Sequence, residues 1–289
     1  MRIATRGSAL ALTQARWVAE RLGGAELVEA SSDGEPGDKS RFVRGVEQVL
    51  LSEGAEIGVH SAKDLPGEMP EGLEIAAVPR REDPADVWIG AGSSLDDVPE
   101  GARVGTASLR RRAQLLATRP DLRVEELHGN VDTRLRKLEE GELDAIVLAA
   151  AGLRRLGRES EIGFAIPVDR MVPAAGQGAL ALQVRAEDEE TTDHAATIND
   201  LEAMRELTAE RAAVALLDAT CASPLGVHAR VKGDGIMVEA FVGLPDGSEW
   251  LRDRLDGNAE EPALIGAELV QRLLAAGARD LLDRAEELA

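Results

Sequence analysis

The chain has 289 residues, a formal net charge of −20 and a hydrophobic fraction of 44%. This length allows two or three domains, and no apolar run reaches the roughly 20 residues that cross a bilayer. The acidic balance argues against a nucleic-acid partner, because a phosphate backbone requires a basic surface. A single cysteine excludes an internal disulfide framework. Together with an opening segment that lacks a signal-peptide pattern, it predicts a cytoplasmic protein.

Strand-like runs alternate with helical patterns through the first half of the chain, which predicts an α/β fold with largely parallel sheets. The predicted strands are 2–5, 55–60, 73–78, 103–105, 123–127, 144–149 and a returning strand at 179–185. The predicted helices run from Ser8 to about Leu22, from Ser108 to about Thr118 and from Asn130 to about Glu140, with a helical turn at 152–156. Each helix follows a strand after a short capping segment.

The pattern changes after the acidic run 187–190, which we interpret as a solvated linker. A long helix is predicted at about 200–217, followed by strands at 227–231 and 237–242 and by one or two helices from Glu261 onward. This part is therefore expected to form a separate α+β domain.

Basic residues concentrate between Ala102 and Lys137, where nine Arg or Lys face four Asp or Glu, a local balance of +5. The rest of the chain consequently carries −25. Three strand-to-helix junctions, at 5–8, 106–111 and 128–134, combine capping residues with nearby arginines. Helix N-termini attract anions, and ligands of open α/β sheets bind at the carboxyl ends of the strands. These features favour a site for a small polyanion over solvated helix faces alone.

Other candidate groups have two possible interpretations from chemistry alone. Lys63 and Asp64 place a base and an acid side by side in the turn 60–66, as a catalytic pair or as a surface pair. Cys221 is either a small buried hydrophobic residue or a functional thiol. The glycines of 176–178 indicate a hinge or tight turn, and the four histidines lack metal-ligand spacing.

In addition, the chain resembles the porphobilinogen deaminase family in a series of motifs that occur in the family's order. The motifs are Arg2–Gln14, Val59–Pro66, Arg81–Pro84, Val104–Arg111, Gly129–Leu135, Leu148–Gly157, Pro173–Gly178 and Cys221–Gly226. They span about Arg2 to Gly226, and the C-terminal region adds little beyond its position.

The resemblance implies two periplasmic-binding-protein-like α/β lobes and a third, smaller α+β domain. The expected boundaries are 1–78 plus 179–196 for lobe 1, 84–173 for lobe 2 and 199–289 for the C-terminal domain. It also implies a transferase of tetrapyrrole (haem) biosynthesis that joins four porphobilinogen molecules head to tail, with loss of ammonia, into hydroxymethylbilane. The implied cofactor is a dipyrromethane held by a thioether at Cys221. We expect a monomer that binds porphobilinogen, without metal, membrane or nucleic acid.

Motif positions in the resemblance imply roles for individual residues. Asp64 is the expected catalytic carboxylate, with Lys63 beside it. A pyrrole chain bearing acetates and propionates suits the bidentate fork of arginine. The expected cofactor-binding residues are Cys221, Arg110, Arg111, Ser108, Arg134 and Ser61, and the expected substrate-binding residues are Arg6, Arg155, Gln14 and Ser8.

The sequence also departs from the family pattern. His128 stands where the family usually has an arginine, which removes a permanent charge and a bidentate contact. The segment 34–43 is shortened and has Lys-Ser-Arg-Phe at 39–42 in place of Gly-Lys-Gly-Leu-Phe. The chain has only four lysines, which together with its acidity suggests adaptation to high salt, although GC-rich coding would also favour arginine.

Two other functions remain open at this point. One is a non-enzymatic anion-binding protein built on the same two-lobed fold, since fold does not fix function. The other is an enzyme of polyanionic metabolites that uses Asp64 and the arginines without a covalent cofactor.

Overall fold

The computed structural model describes residues 1–31, 40–219 and 223–288, without the side chains of 40–42. The helices are α1 Ala9–Arg21, α2 Ser40–Leu51, α3 Leu109–Thr118, α4 Val131–Glu139, α5 Ala150–Arg155, α6 Glu189–Ala196, α7 Leu201–Leu217, α8 Pro262–Ala275 and α9 Ala278–Glu287. The strands are β1 Arg2–Thr5, β2 Glu26–Glu29, β3 Ile57–Ser61, β4 Leu73–Ala77, β5 Asp86–Gly90, β6 Arg103–Gly105, β7 Arg123–Glu125, β8 Ala145–Ala149, β9 Phe164–Ile166, β10 Leu180–Arg185, β11 Leu225–Lys232, β12 Gly235–Gly243 and β13 Trp250–Asn258.

These strands form three sheets, and each sheet has helices packed against it. The first has the order β2-β1-β3-β10-β4, the second β7-β6-β8-β5-β9, and the third is the antiparallel meander β11-β12-β13. The predicted class, two α/β lobes followed by a smaller α+β domain, is confirmed. The expectation of largely parallel sheets was only half right. β10 is antiparallel to β3 and β4, and β5 is antiparallel to β8 and β9.

Polar caps begin the helices that follow β1, β6 and β7, as the sequence predicts. Ser8 accepts a hydrogen bond from the amide of Ala11, and Asn130 accepts one from the amide of Thr133. Ser108 caps α3 in the same way. Because these caps satisfy amides that the helix itself leaves unbonded, they fix where each helix starts relative to its strand.

The acidic run at 187–190 is not a linker, so that prediction was wrong. Asp188 caps α6 by accepting a hydrogen bond from the backbone amide of Thr191, and α6 packs on β4 and β10. Acidic residues are favoured at a helix N-terminus, which is the physical reason for their concentration there.

Several elements had no sequence prediction: α2, β2, β5, β9 and β13. The edge strand β13 contains four charged residues, three of them consecutive, and its residues are exposed or half-buried, so its sequence carries a weak strand signal.

The third domain contacts both lobes through tightly packed positions. Phe241 of β12 shares a small core cluster with Ala113 of α3 and with Val172. On the other side, a Cβ atom on Gly67 would lie 3.0 Å from the Cα of Ala215 in α7. The turn after β3 is therefore held against α7. Among the helices of the described ranges, none combines the length and the apolar character needed to span a membrane.

Candidate active site

A cavity of about 620 Å³ lies where both lobes and the third domain meet. Residues from the turn after β3, the start of α3, the segment before β10 and the end of α7 line it. Its described walls carry six basic side chains and three carboxylates: Arg6, Lys63, Arg110, Arg111, Arg134, Arg211, Asp64, Glu68 and Asp218. The prediction of an anion-binding cleft at strand ends therefore corresponds to a real concave, basic surface.

Asp64 and Lys63 both line this cavity, on the short 3₁₀ turn that follows β3. Asp64 is 42% exposed at its side chain, and its Oδ2 accepts a hydrogen bond from Arg6 at 3.2 Å. The expected substrate-binding Arg6 thus contacts the expected catalytic carboxylate. The arrangement places a carboxylate at the cavity wall with the guanidinium group of Arg6 beside it.

Lys63 has an unusual environment for a lysine. Burial lowers its pKa to about 8, and the neighbouring Arg111 acts in the same direction, whereas Asp64 and Asp86 oppose the shift. A pKa of about 8 keeps Lys63 mostly cationic at neutral pH. It also makes the ammonium a readier proton donor than an ordinary lysine.

Arg110 and Arg111 line the cavity but are almost fully buried, at 4% and 5% exposure. Nη1 of Arg110 lies 2.7 Å from Oδ2 of Asp86, and Nη2 of Arg111 lies 2.8 Å from Oδ1. Burial disfavours the charge of Asp86, yet the two guanidinium groups hold the pKa of this carboxyl well below its usual range. Two cations sharing one carboxylate leave one net positive charge facing the cavity.

Arg134 and Arg155 differ in their relation to the cavity. Arg134 lines it, and its Nε donates to the carbonyl of Gly129. Arg155 is not on the wall, and it donates to the carbonyl of Gly178 at 2.7 Å. Burial lowers the pKa of each to about 10, so both remain cationic at neutral pH.

Three polar residues that were expected in the site, Gln14, Ser61 and Ser8, also lie off the cavity wall. Gln14, on α1, exchanges hydrogen bonds with Ser61 at 3.1 and 3.2 Å, and Ser8 serves as a helix cap. Ser108 lines the cavity while it caps α3. The structure therefore brings together Arg6, Lys63, Asp64, Ser108, Arg110, Arg111 and Arg134.

Cys221 lies outside the described residues. The described positions that flank 220–222, Ala219 and Ser223, both line the cavity. Most of the segment 34–43, including Lys39, is also outside the described part, as is the side chain of Phe42. His128 is 67% exposed and pairs with Glu126 at 2.6 Å. It does not line the cavity.

Sequence reasoning missed two groups that organise the site. Asp86 is the first residue of the apolar strand β5 and is 0% exposed. A charged residue next to an apolar run was the sequence signal that could have identified it. Arg81, within a motif of the resemblance, bonds Glu210 of α7 and the carbonyl of Gln177. Glu210 also accepts a hydrogen bond from the amide of Gly176. This buried network therefore joins the two segments that connect the lobes, one around Arg81 and one around Gly176, to the third domain. Only the fold brings its members together.

Family models match both parts of the chain. Residues 1–193 match the porphobilinogen deaminase, dipyromethane cofactor binding domain, and residues 204–275 match the porphobilinogen deaminase, C-terminal domain. The chain belongs to the porphobilinogen deaminase family. Relatives with that name include a protein of Syntrophus aciditrophicus, 44% identical over 99% of this chain and 99% of its own length. Another, from Brevibacillus brevis, is 43% identical over 97% and 96%.

Solved structures with a similar course of the chain include solute-binding proteins. The L-cystine solute receptor of Neisseria gonorrhoeae has a TM-score of 0.41 at 16% identity, covering 68% of this chain and 84% of its own. A TRAP periplasmic solute binding protein of Desulfovibrio salexigens also has a TM-score of 0.41, at 11% identity, with 69% and 72% covered.

The described residues fit a dipyrromethane. Such a group carries several carboxylates, and the cavity wall has twice as many basic side chains as carboxylates. Ala219 and Ser223 bring the chain to the wall on both sides of Cys221. The chemistry of the wall therefore suits a polycarboxylate pyrrole chain.

Proposed function

We propose that the chain is a hydroxymethylbilane-forming transferase that condenses four porphobilinogen molecules head to tail with loss of ammonia. The observation that carries this proposal is the position of Asp64, a carboxylate on the wall of a cavity with six basic side chains, in a chain of this family. A pure anion-binding site would need the cations but would gain nothing from Asp64 among them.

Asp64 is proposed to stabilise the positive charge that develops on the substrate pyrrole as ammonia leaves. A fixed carboxylate close to the pyrrole N–H groups offsets this charge in the transition state and moves protons during the condensation. Its hydrogen bond to Arg6 orients the carboxylate at the cavity wall. Lys63, with a pKa of about 8, is proposed to supply a proton to the departing amine.

The arginines are proposed to bind the acetate and propionate groups of substrate and growing chain. Arg134 faces the cavity without a carboxylate at ion-pair distance among the described residues. Arg110 and Arg111 contribute one net charge, because Asp86 neutralises the other. Arg155, Gln14, Ser61 and Ser8 stay proposed binding residues, and contact with a ligand would require a rearrangement from the positions described above.

Cys221 is the proposed covalent anchor. A bound dipyrromethane supplies a tether and a nucleophilic pyrrole carbon for chain growth. The residues around the anchor have a simpler task, which is to hold carboxylates and keep the chain beside Asp64. The cavity lining by Ala219 and Ser223 supports this position for the anchor.

We also propose that the domain boundaries are 1–78 plus 179–196, 84–173 and 199–289, and that the protein is a cytoplasmic monomer. The returning strand β10 in the first sheet and the separate core of the third domain support the boundaries. The net charge of −20 supports the absence of a nucleic-acid partner. Light scattering of the purified protein tests the monomer.

The catalytic proposal is tested by Asp64→Asn, a change of charge at nearly constant shape. We expect turnover of porphobilinogen to fall by at least about 100-fold, with the cofactor adduct still present by intact mass. Asp253→Asn, which removes a surface carboxylate of β13, is the matched control and should retain wild-type turnover. Wild-type turnover in Asp64→Asn would contradict the assignment.

The anchor is tested by Cys221→Ala. Intact mass should then lack the dipyrromethane adduct, and the Ehrlich colour reaction for a bound pyrrole should be lost. An adduct that persists in this variant would rule out Cys221 as the anchor. An active wild-type protein without any adduct would instead favour an enzyme without a covalent cofactor.

A further inference from the structure

Arg211 lies on α7, in the middle of the long helix of the third domain, and lines the same cavity as Asp64. It was absent from the residues expected in the site. Among the basic side chains of the described wall, it is the one that the third domain supplies. The chain continues from α7 through Asp218 and Ala219, two further wall residues, to the segment that contains Cys221.

The contacts of Arg211 orient it without neutralising it. Its Nη2 donates to the carbonyl of Gly67 at 3.0 Å. Within the described part of the chain, no carboxylate lies within 4.0 Å of its guanidinium nitrogens; Glu47 acts on it only from a longer distance. Arg211 is half-buried, and this partial removal from water lowers its pKa from the ordinary value.

The surroundings also limit how far Arg211 can move. Gly67 packs so closely on α7 that a Cβ atom there would lie 3.0 Å from the Cα of Ala215, one helical turn beyond Arg211. The carbonyl that accepts from Nη2 is thus fixed relative to the helix. With one nitrogen so held, the remaining N–H groups of the planar fork are preorganised for one further acceptor.

We propose that Arg211 binds a carboxylate of the pyrrole chain held in the cavity. A partly desolvated guanidinium without an ion-pair partner gains most from a charged acceptor, and an acetate or propionate is the acceptor that the proposed reaction brings. This inference rests on the proposed function. The carboxylate can belong to the cofactor or to an added porphobilinogen unit, and the readouts below separate these sources.

The test compares Arg211→Gln with Arg211→Lys in the full-length protein carrying its cofactor. Arg205→Gln is the matched control, since Arg205 lies on the same helix but pairs with Glu260 on the surface. For Arg211→Gln we expect a rise in KM for porphobilinogen of about tenfold if added units are bound. If Arg211 instead binds a carboxylate of the cofactor, we expect the fraction of protein that carries the adduct, measured by intact mass, to fall by a comparable factor. Arg211→Lys should recover part of either effect because it keeps the charge.

Other outcomes would overturn the inference. One such outcome is a KM and an adduct yield in Arg211→Gln that equal those of Arg205→Gln. Another is a fall in kcat alone in both Arg211 variants, because this would indicate that Arg211 only supports the turn at Gly67. Should Arg211→Gln not fold, Arg211→Lys is compared with Arg205→Gln instead. Lysine keeps the charge but lacks the planar guanidinium group. A wild-type KM and adduct yield in Arg211→Lys would therefore refute oriented binding by Arg211. A wild-type protein without any pyrrole adduct would instead refute the proposed function itself.

Discussion

Asp86 offers the sharpest test of how the cavity is held together. Its carboxylate is completely buried and accepts from Arg110, Arg111 and the side-chain amide of Gln177. The change Asp86→Asn keeps the size of the side chain and removes its charge. Two guanidinium groups with 4% and 5% exposure would then share no carboxylate.

The size of the effect follows from these contacts. Two unit charges about 4 Å apart attract by about 4 kcal/mol at an effective dielectric constant of 20. Breaking a buried pair by removing one partner typically costs about 3–5 kcal/mol, because the remaining charge stays desolvated. A whole protein is stable by only about 5–15 kcal/mol. We therefore expect Asp86→Asn to lower the free energy of unfolding by about 3–5 kcal/mol.

Urea denaturation provides the assay, followed by circular dichroism and by tryptophan fluorescence. Trp88 lies two residues beyond Asp86 on β5, is 1% exposed and stacks on Phe164, so its emission reports on the second lobe. Asp96→Asn, which removes a carboxylate from a surface pair, serves as the control and should keep the wild-type midpoint. Equal midpoints for both variants would refute the argument that Asp86 holds the two arginines.

Three further predictions concern protons and salt. Because burial lowers the pKa of Lys63 to about 8, the ammonium is lost as the pH rises through 8. Turnover should fall above that pH, and Lys63→Arg should move the alkaline limb upward; an unmoved limb would exclude Lys63 as its source. Burial also lowers the pKa of His60 to about 4, so the unfolded chain binds the extra proton between about pH 6.5 and 4. Stability should decrease by about 3 kcal/mol as the pH falls across this range, and His60→Asn should weaken that dependence; an identical pH profile would contradict the assignment. Finally, if the acidic, lysine-poor composition reflects adaptation to salt, activity and melting temperature should rise with KCl, whereas best performance in dilute buffer would refute the idea.

Local sequence patterns predicted much of the framework. Ser8, Ser108 and Asn130 marked helix starts correctly, because capping depends on residues only a few positions apart. The turn carrying Lys63 and Asp64 was likewise placed correctly at the end of β3. The acidic run before α6 was misinterpreted, since the same residues suit a solvated linker and a helix N-terminus.

The sequence by itself determined the family, the α/β class and the concentration of positive charge between Ala102 and Lys137. It did not determine which charges act on a ligand. Asp86, distant in sequence from Arg110 and Arg111, cancels one of their two charges, and α7 adds Arg211 to the wall. The pKa of Lys63 and the partner of Asp64 were set in the same way. Desolvation and ion pairing depend on distances between residues remote in sequence, so only the tertiary structure decided them.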